Sequence, residues 1–142
     1  MQTTSPDISL VIFDCDGVLV DSEPLAIRLL QQTLNRLGLD VDRETAYARF
    51  LGRSLASVLV ELETEDGLVL GPEDLERMRH DLAALFRAEL QPVPHVGDAI
   101  RALSYEHAVC VASSSVPERL NLSLTVTGLQ PLVEGRIYSA TQ

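Results

Sequence analysis

The chain has 142 residues, 46% of them hydrophobic, and a formal net charge of −10. That length and apolar content support one compact domain, or a domain with a small insertion, and exclude a disordered tail. The acidic balance without clustered cations excludes a nucleic-acid backbone as ligand, and no stretch approaches the roughly 20 apolar residues of a membrane span.

The opening MQTTSPD carries no basic patch followed by an apolar run, so a soluble, cytoplasmic protein is expected. The first element is the apolar, β-branched run Ile8–Phe13, which reads as a strand buried on both faces. Asp14-Cys15-Asp16-Gly17 follows it directly. From Pro24 to Gly38, apolar residues recur at Leu25, Leu29, Leu30, Leu34 and Leu37, the period of a helix with Pro near its start and Gly at its end. Helical patterning continues over Arg43–Leu51 and Leu55–Leu62. From Pro72 on, Leu75, Met78, Leu82, Leu85, Phe86 and Leu90 line one face.

Residues 22–91 are thus expected to form a helical unit inserted into a core of residues 1–21 and 92–142. The stretch Gln91–Gly97 is a linker-like return, with a helix from Asp98 to Leu103. Ala108–Ala112 reads as a second buried strand ending in Ser113-Ser114-Ser115. Ser115 and Glu118 have the spacing of a capping box for a helix running towards Val126, and Arg136–Ala140 suggests a third strand. Strands alternating with helices predict an α/β fold with a parallel sheet. Cys15 and Cys110 sit in apolar runs and are expected to be buried thiols without a disulfide.

Two carboxylates two residues apart beyond a strand stand where open α/β sheets bind ligands. There a carboxylate can ligate a hard cation or attack phosphorus, and a second can pass a proton to a leaving alkoxide. Asp-x-Asp-Gly is also compatible with a solvated turn. A helix-loop-helix calcium loop fits less well, because its glycine is sixth and a helix precedes it. Ser113 and Ser114 at the second strand end could hold phosphoryl oxygens, although a serine cluster there is more often a helix cap.

Phe13-Asp14-Cys15-Asp16-Gly17-Val18-Leu19-Val20-Asp21-Ser22-Glu23-Pro24 closely resembles the first motif of haloacid-dehalogenase-superfamily phosphatases, and Val111-Ala112-Ser113-Ser114-Ser115 resembles their second. The helical insertion resembles the small cap of the subgroup with phosphoglycolate, 6-phosphogluconate and sugar-phosphate phosphatases and β-phosphoglucomutase. That resemblance implies a Rossmann-like core and magnesium-dependent hydrolysis of small phosphorylated metabolites. It implies Asp14 as the nucleophile that forms an aspartyl-phosphate and as a metal ligand. Asp16 would be the general acid/base, its backbone carbonyl touching the metal. Ser113 would bind the phosphoryl group, and amides near Gly17 and Ser114 would complete the cradle. Arg53, in the loop Phe50–Ser54, would meet a substrate anion; a solvated arginine fits that position equally well.

Two family features are not found: a lysine that neutralises phosphoryl charge and a later acidic pair for magnesium. All 11 cationic side chains are arginine. Arg136 precedes the third strand rather than following it, and Arg119 reads as a solvated helix residue. The sequence therefore resembles a C-terminally truncated enzyme, expected to be weak or inactive and to self-associate through an exposed sheet edge. A catalytically dead binding or assembly module is the alternative. Asp16 argues against dehalogenation, which needs no proton donor. Ala26, where related mutases have a histidine, argues against phosphomutase action.

Overall fold

The structure, a computed structural model, describes residues 7–141. Residues 1–6, read above as free of a leader, and Gln142 lie outside the described residues. Two compact units form, one from residues 7–21 and 90–141 and the other from Ser22–Glu89.

In the first unit three strands, β1 (Leu10–Phe13), β2 (Ala108–Ser113) and β3 (Ile137–Ser139), make a parallel sheet in the order β1-β2-β3. Leu10 pairs with Ala108, and Ser113 with Ser139. Three helices of this unit, α5 (Val96–Glu106), α6 (Pro117–Val126) and α7 (Gln130–Val133), pack on the strands, α5 and α7 against β2 and α6 against β3. Strand alternation sends Val109, Val111 and Ser113 into this packed face, where all are buried.

Among the described residues nothing covers the opposite face. Ile8, Leu10 and Ile12 are 59%, 47% and 60% exposed. The expectation that β1 is buried on both faces is therefore corrected. A continuous apolar run is compatible with two covering layers, but among the described residues helices cover only one side. For the same reason Cys110, which pairs with Ile12, is half-buried rather than buried, while Cys15 is buried; both are free thiols.

The second unit contains α1 (Glu23–Arg36), α2 (Arg43–Phe50), α3 (Leu55–Asp66) and α4 (Pro72–Glu89). Its core gathers Ile27, Leu30 and Leu34 of α1, Ala46 and Phe50 of α2, Val58 and Leu62 of α3, with Val41 and Leu70 from the connections. The caps follow from local chemistry: the Asp42 carboxylate accepts from Thr45 N–H at 2.7 Å and the Ser54 hydroxyl from Ser57 N–H at 3.2 Å. Gly67, at φ 65°, ends α3 in the left-handed conformation that glycine adopts without strain.

Ser115 does not cap α6. The N-cap position is Val116, with Pro117 as the first helical residue and no side-chain cap. Proline needs no N–H partner there, so the Ser115 side chain is left for another partner. No helix among the described residues is long and apolar enough to cross a membrane.

Candidate active site

The carboxyl ends of the three parallel strands carry Asp14, Ser113 and Ser139. Beyond β1 the chain turns sharply: Cys15 O accepts from Val18, Leu19 and Val20 N–H at 3.2, 2.9 and 3.2 Å, and Gly17 N–H donates to Val20 O at 2.9 Å. Gly17 has φ 74°, which a side chain would oppose. Its amide is thus spent inside the turn, and what Gly17 contributes here is the reversal that aims Asp14 and Asp16, not a free N–H.

Asp14 is exposed, and its Oδ1 accepts from Cys15 N–H at 2.7 Å. No other hydrogen bond or ion pair engages Asp14 among the described residues, so one carboxylate oxygen remains available. Asp16 is held differently. Its Oδ1 lies 3.0 Å from Arg119 Nη2 and its Oδ2 accepts from Ser115 Oγ at 2.7 Å. The Arg119 and Asp16 side chains are 35% and 28% exposed. Arg119, expected as a solvated helix residue, is instead an ion-pair partner of Asp16, because the first turn of α6 starts just beyond the serine triplet.

Ser113, buried at the end of β2, accepts from Ser115 N–H at 3.1 Å. Its own hydroxyl proton has no acceptor among the described residues. Ser114 is exposed. Ser139 Oγ donates to Ser115 O at 2.7 Å and is hydrogen-bonded with Thr141 Oγ1 at 2.9 Å, tying the end of β3 to the same cluster. Burial is the main force raising the Cys15 thiol to about 12, with Asp16 and Asp14 adding to it and Arg119 opposing.

Arg53 belongs to the helical unit. Its guanidinium engages the Glu61 carboxylate and, at 2.7 Å, Ser57 Oγ. Arg136 donates to Leu132 O at 2.8 Å and so closes the end of α7.

The structure therefore joins Asp16 to the serine strand end through Ser115. Ser139 is a participant that the sequence marks only by its place at the end of a third strand, and Arg119 is one whose partner no local pattern shows. As a metal ligand set, the Asp14 carboxylate and the Asp16 backbone carbonyl have the hard-oxygen chemistry magnesium takes. The two Asp16 carboxylate oxygens are already engaged. Among the described residues no cluster of three or more His, Cys, Asp or Glu side chains is placed to hold a metal. The fit is to an ion that keeps water and substrate oxygens in its shell, as magnesium does.

A family model of haloacid dehalogenase-like hydrolases matches residues 11–142. The chain belongs to that family. It is similar to 6-phosphogluconate phosphatase of Escherichia coli K12, with 30% identity over 133 residues, 93% of this chain and 59% of the relative. Among solved structures, a haloacid dehalogenase-like protein of Agrobacterium tumefaciens C58 matches at TM-score 0.81 and 32% identity, over 94% of this chain and 60% of its own. A family hydrolase from Deinococcus radiodurans R1, solved with bound phosphate and sodium, matches at TM-score 0.74 and 28% identity, over 96% and 60%. The chain thus spans about three fifths of the length of these relatives.

Proposed function

We propose that this chain carries the nucleophile and the proton donor of a magnesium-dependent phosphatase acting on small phosphorylated metabolites of the sugar-phosphate type. The observation that carries the proposal is the unequal treatment of two carboxylates on one turn. Asp14 keeps an oxygen unengaged among the described residues, as a nucleophile needs, while Asp16 is held in one orientation by Arg119 and Ser115, as a group that passes a proton at a set place needs.

In this scheme an Asp14 oxygen bonds to phosphorus as the ester P–O bond breaks, and the departing alkoxide takes its proton from Asp16. Asp16, now a carboxylate, then accepts a proton from the water that attacks the aspartyl-phosphate. Cleavage of the bond to Asp14 restores the nucleophile and releases phosphate. The Ser113 hydroxyl would donate to a phosphoryl oxygen throughout, and the N–H of Ser114, beyond the strand end, would assist. The Asp14 carboxylate and the Asp16 carbonyl would hold a magnesium ion, which would supply positive charge to the phosphoryl oxygens. Arg53 would meet a substrate anion by exchanging it for Glu61.

The name of the Escherichia coli relative makes 6-phosphogluconate the first substrate to try. The test is phosphate release from it and from other phosphate monoesters, with and without magnesium, by the chain and by its Asp14→Asn variant. Weak, magnesium-dependent turnover that vanishes in the variant is the expected result. Equal release by both proteins would overturn the assignment.

A second reading, a binding or assembly module without turnover, is favoured by the absence of any lysine in the chain. Loss of one charge-stabilising group at the transferring phosphoryl costs on the order of a hundredfold to a thousandfold in rate. A C-terminally extended version that supplies a lysine after β3 separates the two readings. Activity gained on extension supports the enzyme, and none in either form supports the module.

A further inference from the structure

We infer that Arg119 is a positioning residue for Asp16, holding its carboxyl in the orientation from which it exchanges a proton with the leaving group; this rests on the proton-donor role proposed above for Asp16. The two carboxylate oxygens meet partners of different capability. Oδ1 faces Arg119 Nη2 at 3.0 Å, and a guanidinium only donates. Oδ2 faces Ser115 Oγ at 2.7 Å, and a hydroxyl can donate or accept.

Arg119 on one oxygen and Ser115 on the other hold the Asp16 carboxyl in one plane. In that orientation its proton passes to the leaving alkoxide as the ester P–O bond breaks, and the resulting carboxylate takes a proton back from the attacking water.

The surrounding chain makes this arrangement stiff. Arg119 lies in the first turn of α6, and Ser115 is fixed from two sides, by Ser139 Oγ on its carbonyl at 2.7 Å and by Ser113 Oγ on its N–H at 3.1 Å. A carboxylate gripped at both oxygens by one rigid segment keeps one orientation, and acid catalysis depends on orientation. The ion pair itself, partly exposed at the end of a sheet, adds little to folding.

The test compares two leaving groups, because a protonating acid matters for an alkyl phosphate and hardly at all for a nitrophenyl phosphate. Whichever form turns over, the chain or its extended version, is prepared as Arg119→Ala, Arg119→Met, Arg119→Lys and Asp16→Asn, with folding checked by circular dichroism. The expected result is a fall of about 10- to 100-fold in kcat/KM for glycerol phosphate in Arg119→Ala and Arg119→Met. Nitrophenyl phosphate should change by less than about threefold, with partial recovery in Arg119→Lys.

Equal losses on both substrates, or no loss while Asp16→Asn still separates them, overturn the inference and leave the role of Asp16 standing. If Asp16→Asn itself fails to separate the substrates, or neither form turns over, the proton-donor reading falls and this inference falls with it.

Discussion

Cys15 stands between the two carboxylates of the site, yet its thiol is buried and is raised to about 12 chiefly by that burial. A thiol in such surroundings is a structural filler, since the thiolate is the reactive form. Cys110 lies half-buried on the bare sheet face. Alkylation of the folded chain at neutral pH with iodoacetamide should therefore label Cys110 first. Cys15 should react only on addition of denaturant, as peptide mass mapping can read. Comparable labelling of both would show that the turn after β1 is open. At this scale the sequence disclosed the chemistry of single residues better than their partners. Asp14 and Asp16 were legible because a strand delivers them to the ligand-binding end of the sheet. The Asp16–Arg119 pair spans 103 positions of sequence, and no local pattern encodes it. The spacing of Ser115 to Glu118 fits a helix cap, but Pro117 at the first helical position leaves that hydroxyl for Asp16 instead.

Helices of the Ser22–Glu89 unit were legible because each carries an apolar face at the helical period. Leu34 and Leu62 lie fully buried at the centre of their common core. Replacing either with alanine should cost about 2–5 kcal/mol in chemical denaturation. Ser54→Ala, which removes a cap, should cost about 1 kcal/mol. The four-residue α7 is not legible in the sequence, since one turn built around Pro131 has no period to read. An acidic limit also belongs to this unit. The Thr45 N–H holds the Asp42 carboxyl below its ordinary value, and Arg53, then Arg49, hold that of Glu61 below its own. Both carboxyls are depressed on folding, so the stability they confer is present above their ordinary values of 3.8 and 4.5 and is lost as pH falls through the folded-state values. Thermal stability followed by helical circular dichroism should fall as the pH drops below about 4.5. Asp42→Asn, which keeps a capping oxygen, should flatten part of that dependence; an unchanged profile would remove Asp42 as a cause.

For the first unit the decisive fact is a parallel sheet that, among the described residues, is covered on one face. Parallel sheets are ordinarily covered on both. Here Leu10 and Ile12, with Ala108 and Cys110 paired to them and Tyr138 beside Ala112, form an apolar surface along an edge strand. The run Ile8–Phe13 is strongly β-forming and uncharged, bounded by Asp7 and Asp14. Such an edge is a template for pairing with another strand. Sequence could identify the strand but not its exposure, because burial is a property of the layers around a strand and not of the run itself. A second copy of the chain presents the same surface and the same open edge, so the expected consequence is self-association that rises with concentration. A net charge of −10 opposes it, so association should strengthen as salt screens the repulsion. Sedimentation velocity across a concentration series at low and at high salt checks both dependences. Ile12→Lys should shift the population towards monomer without lowering thermal stability, because the Ile12 side chain is 60% exposed and its loss leaves no cavity. A chain that stays monomeric at every concentration and salt would overturn the expectation, because at high salt the charge repulsion is screened. An Ile12→Lys protein that associates as the parent does would place the contact elsewhere on the molecule.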